Sequence, residues 1–342
     1  MLDIEQSLMP KVNNFEKHAG VQSTLIVNTC RKEKYAISIL IPTYKRVQTL
    51  KDTIASCINQ IGFEDYNIIV CDNNPEREDE TEQYITSLPI SNLKYYKNER
   101  SIGMYGNINR LYELSNGNLS VCVHDDDMLF PHFLQILNDV MSRYGEVDIL
   151  FPLKVKWYED KGELKPKENI LPKRFIRKIT NYDLLRGNSY PPTGFIAKTN
   201  RIFEIGGFDE NKYPSSDYYF NVKAIRYLKV YELSQPLYIY RWACNISFKL
   251  DTLIGFLDKD IALMNVIARS NYVLRLFKEY QISEHCKGYI EKIASLYPEY
   301  NVNSLPYYEE RISIYSKTKN MVLDYLWRIV YKIIRMRNTI YL

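Results

Sequence analysis

Residues Val121-Cys122-Val123-His124-Asp125-Asp126-Asp127-Met128 join an apolar, strand-prone run to three consecutive carboxylates. Adjacent negative charges repel one another, so gathering three at a strand end is costly unless a cation balances them. Hard oxygen donors suit Mg²⁺ or Mn²⁺, which usually bind through one or two carboxylates together with substrate phosphates. A metal–nucleotide site is the first chemistry the chain suggests. The plain alternative is a solvated acidic turn capping the next helix.

The elements that would carry this triplet alternate between strand and helix. Ala36 to Ile41 is a short apolar run halted by Pro42, as a buried parallel strand would be. Tyr66 to Cys71 repeats the pattern and ends at the turn signal Asp72-Asn73-Asn74-Pro75. Leu93–Tyr96, Leu119–Val123 and Val147–Pro152 complete five predicted strands. Helical spacing lies between them, in Leu50, Ile54, Cys57 and Ile58, in a polar stretch near 77–87, and in Ile108, Leu111, Tyr112 and Leu114. Pro131 opens another helix, through about Tyr144. Such alternation predicts an α/β fold, a mostly parallel sheet with helices on both faces. Ligands of these sheets bind at the carboxyl ends of strands. Pro42-Thr43-Tyr44, Asp72-Asn73 and Asp125–Asp127 all lie at such ends. No G-x-G-x-x-G follows the first strand and no G-x-x-x-x-G-K-[ST] occurs, which argues against dinucleotide-binding dehydrogenases and P-loop NTPases.

Residues 1–34 are polar and weakly patterned and are read as an extension packed on an α/β domain of residues 35–248. Residues 249–342 form a helical region, as in Leu253, Phe256, Leu257, Ile261 and Met264. With 46% hydrophobic and 25% charged residues the chain is globular, and a net charge of +4 is too small to argue for nucleic acid. The 30 tyrosines are scattered and form no stacking motif. Six cysteines without a C-x-x-C pair suit a reducing compartment. The four histidines lack zinc-ligand spacing. The start, Met1-Leu2-Asp3-Ile4-Glu5, does not resemble a signal peptide. No apolar run of about 18 residues predicts a spanning helix. A cytoplasmic location is the expectation.

Four blocks, in order, resemble the family 2 glycosyltransferases of the GT-A (Rossmann-like) fold, over about Ile37 to Ser247. They are Ile39 through Arg46; Ile69 through Asn74; Asn98 through Gly103 with Asn107, then Gly117 through Asp127; and Thr193-Gly194-Phe195 with Gly206 through Glu210 and Ser216-Asp217. The resemblance implies inverting transfer of a sugar from a nucleoside diphosphate to an acceptor hydroxyl, with Mn²⁺ or Mg²⁺ as cofactor. It assigns Pro42, Thr43 and Tyr44 to the nucleoside loop, with Arg46 nearby, and Asn98, Gly103 and Asn107 to the nucleotide-sugar region. Asp72 falls where a carboxylate accepts a hydrogen bond from the base. A uracil imide N–H matches that acceptor, which favours UDP; an Asx-turn is the alternative.

The family pattern Asp-x-Asp-Asp, an apolar pair and Pro fits Asp126-Asp127-Met128-Leu129-Phe130-Pro131 in its second half. Its first Asp then falls on His124, with Asp125 in the variable place. Asp126 is the expected direct metal ligand. Asp127 either joins it or orients the ligands and caps the next helix, and Asp125 lies near the ribose or behind the ligands. His124 is open between ligand and ordinary hydrogen-bonded residue. Asp217 falls on the family's general base, which takes the acceptor's proton; capping of the following helix is its alternative. An acidic residue usually precedes this Asp, and here Ser216 stands there. Gly206–Glu210 resembles the acceptor-side loop, and Pro191–Gly194 enters the strand lining the donor sugar. Arg241-Trp242 is similar to the pair of processive synthases, but Tyr238 replaces the expected Gln, which argues against processivity. Arg241 is open between diphosphate contact and surface cation. A nucleotidyltransferase is the rival enzyme, although Pro42–Arg46 lacks the glycines to grip a triphosphate. A catalytically inactive nucleotide-sugar-binding module is the non-enzyme rival.

Within Met321–Arg337, residues Asp324, Arg328, Lys332 and Arg335 share one narrow face, and the rest is largely apolar with Trp327. A basic amphipathic helix with a Trp suits a membrane surface, as a lipid-linked acceptor would require. Docking on its own core or on a sister subunit is the alternative. The expected acceptor is a polysaccharide, lipid-linked or protein-linked glycan, at the inner face of the membrane.

Overall fold

The computed structural model describes residues 2–9, 12–242, 249–305 and 317–342. Its strands are β1 (Ser23–Asn28), β2 (Tyr35–Thr43), β3 (Tyr66–Asp72), β4 (Leu93–Asn98), β5 (Gly117–Cys122), β6 (Met128–Leu129), β7 (Ile149–Trp157), β8 (Phe175–Lys178), β9 (Phe195–Lys198), β10 (Val230–Arg241) and β11 (Thr339–Tyr341). Its helices are α1 (Leu2–Ser7), α2 (Val47–Ile58), α3 (Glu80–Thr86), α4 (Gly103–Leu114), α5 (Phe133–Arg143), α6 (Asn181–Leu184), α7 (Thr199–Glu204), α8 (Ser216–Tyr227), α9 (Leu250–Ala268), α10 (Tyr272–Leu296) and α11 (Lys317–Arg337).

One mixed sheet runs β1-β4-β3-β2-β5-β9-β7-β10-β8-β11, with β6 paired to β10. The five strands expected from the sequence are present. β4, β3, β2 and β5 run parallel, as do β7 and β10. β9 lies antiparallel between β5 and β7, which separates the fourth and fifth expected strands. The turn into β9 needs Gly194: its φ is +70°, and an added Cβ would stand 2.5 Å from the Tyr238 ring. Its N–H donates to the Cys122 carbonyl at 2.7 Å, which brings Thr193 beside the acidic triplet.

Burial on both faces explains the apolar runs. Ile37, Ile39, Ile41, Val121 and Val123 face one core with Leu50, Ile54, Phe133 and Leu137 of α2 and α5. Leu40, Ile69, Cys71 and Cys122 face a second core with α4, α8 and the C-terminal helices. Leu257, Ile261, Phe277, Ile282 and Trp327 belong to that second core, so α9–α11 pack on the sheet rather than on a core of their own. The expected boundary at 248, and Ser247 at the end of the resemblance, lie outside the described residues.

The N-terminal stretch reads as unpatterned, yet β1 extends the sheet edge beside β4. Asn14 donates its backbone and side-chain N–H to the Gly206 carbonyl at 3.0 and 2.9 Å. A Cβ on Gly206 would fall 1.9 Å from the Val12 carbonyl oxygen, so only glycine allows this approach.

Trp327 points inward. It is 4% exposed and packs on Phe277, Tyr182 and Tyr331. The outer side of α11 is nonetheless apolar: Met321, Val322, Tyr325, Leu326, Ile329, Ile333 and Met336 are each more than 40% exposed. Trp327 is therefore a core residue, and the face available to a partner is aliphatic and tyrosyl.

Candidate active site

β2 and β3 end in register, Thr43 opposite Asp72, and β5 leaves the sheet on the other side of β2 to deliver His124–Asp127. The Thr43 hydroxyl donates to Asp125 at 2.8 Å. Arg46 bonds Asp125 at 3.2 Å and Asp126 at 2.9 Å, so one guanidinium balances two of the three carboxylates. Burial pushes the Asp125 carboxyl up to about 6 against the pull of Arg46. Burial, with the charge of Asp126, pushes Asp127 well above the usual carboxylate range. Asp127 is 1% exposed. Its two oxygens accept from the Thr193 hydroxyl at 2.8 Å and the Arg241 backbone N–H at 3.1 Å. The Thr193 hydroxyl accepts the His124 N–H at 3.0 Å, and Thr53 donates to the Asp127 carbonyl at 2.7 Å. A carboxylate held this way orients its neighbours.

The donor set fits a divalent cation. One atom each of His124, Asp126 and Asp127 lies within 4.8 Å of the others. His124 Nε2 is buried with no hydrogen-bond partner among the described residues. Burial lowers the pKa of its imidazole, favouring the neutral form that can offer a lone pair. Two carboxylates and an imidazole suit Mn²⁺ particularly well.

Asp72 is fully buried. It accepts the Asn74 N–H at 2.9 Å, the Asx-turn read as the alternative, and the Tyr95 hydroxyl at 2.9 Å; Lys97 lies at 3.3 Å. No surface of Asp72 is left for a base in this arrangement. Asn98 and Asn107 are equally internal. Asn98 donates to Asn73 at 3.1 Å and to Asn107 at 2.9 Å, and Asn107 donates to the Cys71 carbonyl at 2.8 Å. Asn73 in turn donates to the Gly103 carbonyl at 3.2 Å. This amide chain fixes the loop after β4 against the strand ends. Tyr44 is half-exposed beside it.

Arg241 is not a surface cation. It is 4% exposed, pairs with Asp52 and with Glu159 at 3.3 Å, and lies 5.0 Å over the Trp157 ring. Its backbone, rather than its charge, touches the acidic triplet.

Asp217 occupies the first turn of α8. Its Oδ1 accepts the Tyr218 N–H at 2.8 Å and its Oδ2 accepts Asn188 Nδ2 at 2.8 Å. Asn221 donates to Asn188 Oδ1 at 2.9 Å, which turns the amide donor towards Asp217. Burial, then the charge of Asp260, raises the Asp217 carboxyl to about 7; the hydrogen bonds and Lys154 oppose this. Ser215 and Ser216 do not cap α8 through their side chains. Ser215 instead donates to Asp260 of α9 at 2.5 Å, and Asp260 also meets His285 of α10 at 3.0 Å. The C-terminal helices thus reach the residue read as the base, although no catalytic motif is visible in their sequence. The acceptor-side loop is pinned by the N-terminal stretch, Lys17 to Asp209 at 2.7 Å and His18 to Glu210 at 2.9 Å.

Lys154 was not singled out by its sequence. Its amine donates to the Ser189 carbonyl at 3.2 Å and lies in the field of both Asp127 and Asp217. Burial and Lys156 bring it down to about 8, against those two carboxylates. Its signal was the passage of β7 from Ile149–Pro152 into Leu-Lys-Val-Lys, a buried strand that turns cationic at its end.

The family model for glycosyl transferase family 2 matches residues 38–210. An uncharacterised glycosyltransferase of Methanocaldococcus jannaschii is 25% identical over 264 residues, 75% of this chain and 81% of that relative. The Escherichia coli UDP-Glc:alpha-D-GlcNAc-diphosphoundecaprenol beta-1,3-glucosyltransferase WfgD is 23% identical over 34% of this chain and 48% of its own length. Among solved structures, Staphylococcus aureus TarS in complex with UDP-GlcNAc superposes with a TM-score of 0.56 at 17% identity, covering 84% of this chain and 79% of TarS. The mannosyltransferase PcManGT of Pyrobaculum calidifontis, in complex with GDP-Man and Mn²⁺, gives 0.51 at 12% identity over 94% and 92%. These likenesses bear out the expected GT-A fold.

Proposed function

Because the chain belongs to glycosyl transferase family 2 and is a glycosyltransferase, we propose that it moves a sugar from UDP to an acceptor hydroxyl with inversion, and that Asp217 is the general base. The observation that carries this reading is the Asp217 carboxyl, raised to about 7 and oriented by Asn188 and the α8 backbone. A base is most effective when its pKa lies near the working pH. The acceptor oxygen bonds to the anomeric carbon as the bond from that carbon to the diphosphate breaks, and the acceptor proton passes to Asp217. Arg46 and Lys154 offset the negative charge of the diphosphate from opposite sides of the triplet. His124, Asp126 and Asp127 would hold Mn²⁺ or Mg²⁺, and such an ion supplies Lewis-acid stabilisation of the leaving group. The choice of UDP is supported by the uridine nucleotides of TarS and WfgD, against the GDP-Man of PcManGT. Membership of the family sets the nucleotidyltransferase reading aside.

The base assignment carries a pH signature. With Asp217 near 7, kcat/KM, read as UDP release with acceptor present, is expected to rise as pH increases through about 7 and then level. Asp260 contributes to that raised value from α9. Asp260→Asn removes a negative neighbour, so the rise should move to lower pH. A profile unmoved by the substitution would contradict the coupling.

We also propose that the exposed side of α11 meets an anionic membrane surface, which would bring a lipid-linked acceptor to the site. Arg328, Lys332 and Arg337 border this apolar side, the composition of an interfacial helix. No described helix is long and apolar enough to cross a membrane. Leu326→Asp with Ile329→Asp should weaken binding to anionic vesicles at least tenfold while leaving Tm unchanged, since both side chains face outward. Unaltered vesicle binding would remove the membrane and leave a sister subunit as the partner.

A further inference from the structure

Beyond the acidic triplet the molecule gathers positive charge. Lys154 and Lys156 are two apart on β7 and so share a face of the strand. Each rests its ammonium on a ring of the parallel neighbour β10 or the residue that follows it. Lys154 lies 5.2 Å from the Tyr240 centroid and Lys156 lies 4.4 Å from that of Trp242. Lys292, from α10, approaches the same indole at 5.5 Å. Among the described residues neither Lys154 nor Lys156 forms an ion pair with a carboxylate. Burial lowers the Lys292 pKa, and the charge of Lys156 lowers it further, so the two ammonium groups are close enough to repel.

Two like charges brought to one indole by separate elements are unfavourable alone and favourable around an anion. Trp242 offers a flat wall that positions both cations and excludes water from one side. Lys154 stands in the fields of Asp127 and Asp217, at the catalytic centre itself. Lys156 is the next residue on that face, one step outside it. The donor diphosphate belongs with Arg46 and the triplet, so an anion at the indole comes from the other substrate.

We infer that Lys156 and Lys292, over Trp242, form a site for a phosphate ester carried by the acceptor. This rests on the transferase reading and deepens it by naming a chemical class for the acceptor. Two sources share this chemistry, a soluble phosphorylated glycan or polyol and a lipid phosphate.

The test uses the full chain saturated with UDP and Mn²⁺, so that the diphosphate site is filled. Glycerol 3-phosphate is titrated by calorimetry, and in a second arm vesicles of phosphatidylcholine with and without phosphatidic acid are added. Lys156→Ala and Lys292→Ala should each weaken glycerol phosphate binding at least fivefold and leave UDP affinity unchanged. Dependence on these lysines only with phosphatidic acid vesicles would support the site and assign it to a lipid phosphate. Binding equal in wild type and both variants, or no binding in either arm, would overturn the proposal. Loss of UDP affinity in the variants would also overturn it, by moving the lysines to the donor. If UDP fails to bind the wild type, the transferase reading fails separately, and the same titrations without nucleotide still report on the lysine pair.

Discussion

Asp217→Asn is expected to lower kcat for sugar transfer by about 10³-fold, within the range that a positioned general base contributes. UDP affinity should stay within about twofold of wild type, because the triplet and Arg46 are untouched. The substitution keeps the shape of the side chain and its acceptor oxygen for Asn188 Nδ2, so the first turn of α8 should be retained. The pH dependence near 7 should disappear along with the rate. Stopped assays of UDP release, with and without acceptor, read both quantities. Transfer at the wild-type rate would remove Asp217 from the base role and leave its α8 contacts as its whole purpose. The same experiment separates a working enzyme from a binding module, since a module has no rate to lose.

Asp126→Ala is the second large effect. Asp126 is the carboxylate of the triplet that shares Arg46 with Asp125 while lying within ligand reach of His124 and Asp127. Removing it takes a donor from the cation site and a partner from Arg46. Stabilisation of the leaving diphosphate is worth several kcal/mol, so transfer should fall by about 10³-fold. Its mark, distinct from that of Asp217→Asn, is in binding: the variant's UDP affinity should no longer respond to Mn²⁺. A variant that binds UDP more tightly on adding Mn²⁺, as wild type does, would place the ion elsewhere.

The parallel heart of the sheet was legible because its strands are buried on both faces and therefore read as continuous apolar runs, Ile37–Ile41 and Ile68–Cys71 among them. The acidic triplet was legible because like charges stand together where a strand ends. β1 was hidden, since an edge strand with a mixed burial pattern gives no clear periodicity. β9 was hidden by its brevity and by a position set through Gly194 rather than by its own pattern. In the site, sequence offered each polar residue at a strand end as a ligand contact. The structure divides them. Thr43, Arg46 and Asp125–Asp127 converge, whereas Asp72, Asn98 and Asn107 turn inward to hold the loops. Sequence spacing cannot tell an amide that meets a substrate from one that meets another amide. Lys154, Asn188 and Asp260 come from three distant segments, so only the folded chain brings them around Asp217. Trp327 shows the same limit on α11: a helical pattern gives the faces but not which one the core takes.

The central claim is a cation-linked diphosphate site built on His124, Asp126 and Asp127 beside a poised base. Calorimetric titration of UDP into wild-type protein, with and without Mn²⁺, tests it most directly. UDP should bind at least tenfold more tightly with Mn²⁺ present. UDP binding that is indifferent to Mn²⁺, or absent under both conditions, would contradict it.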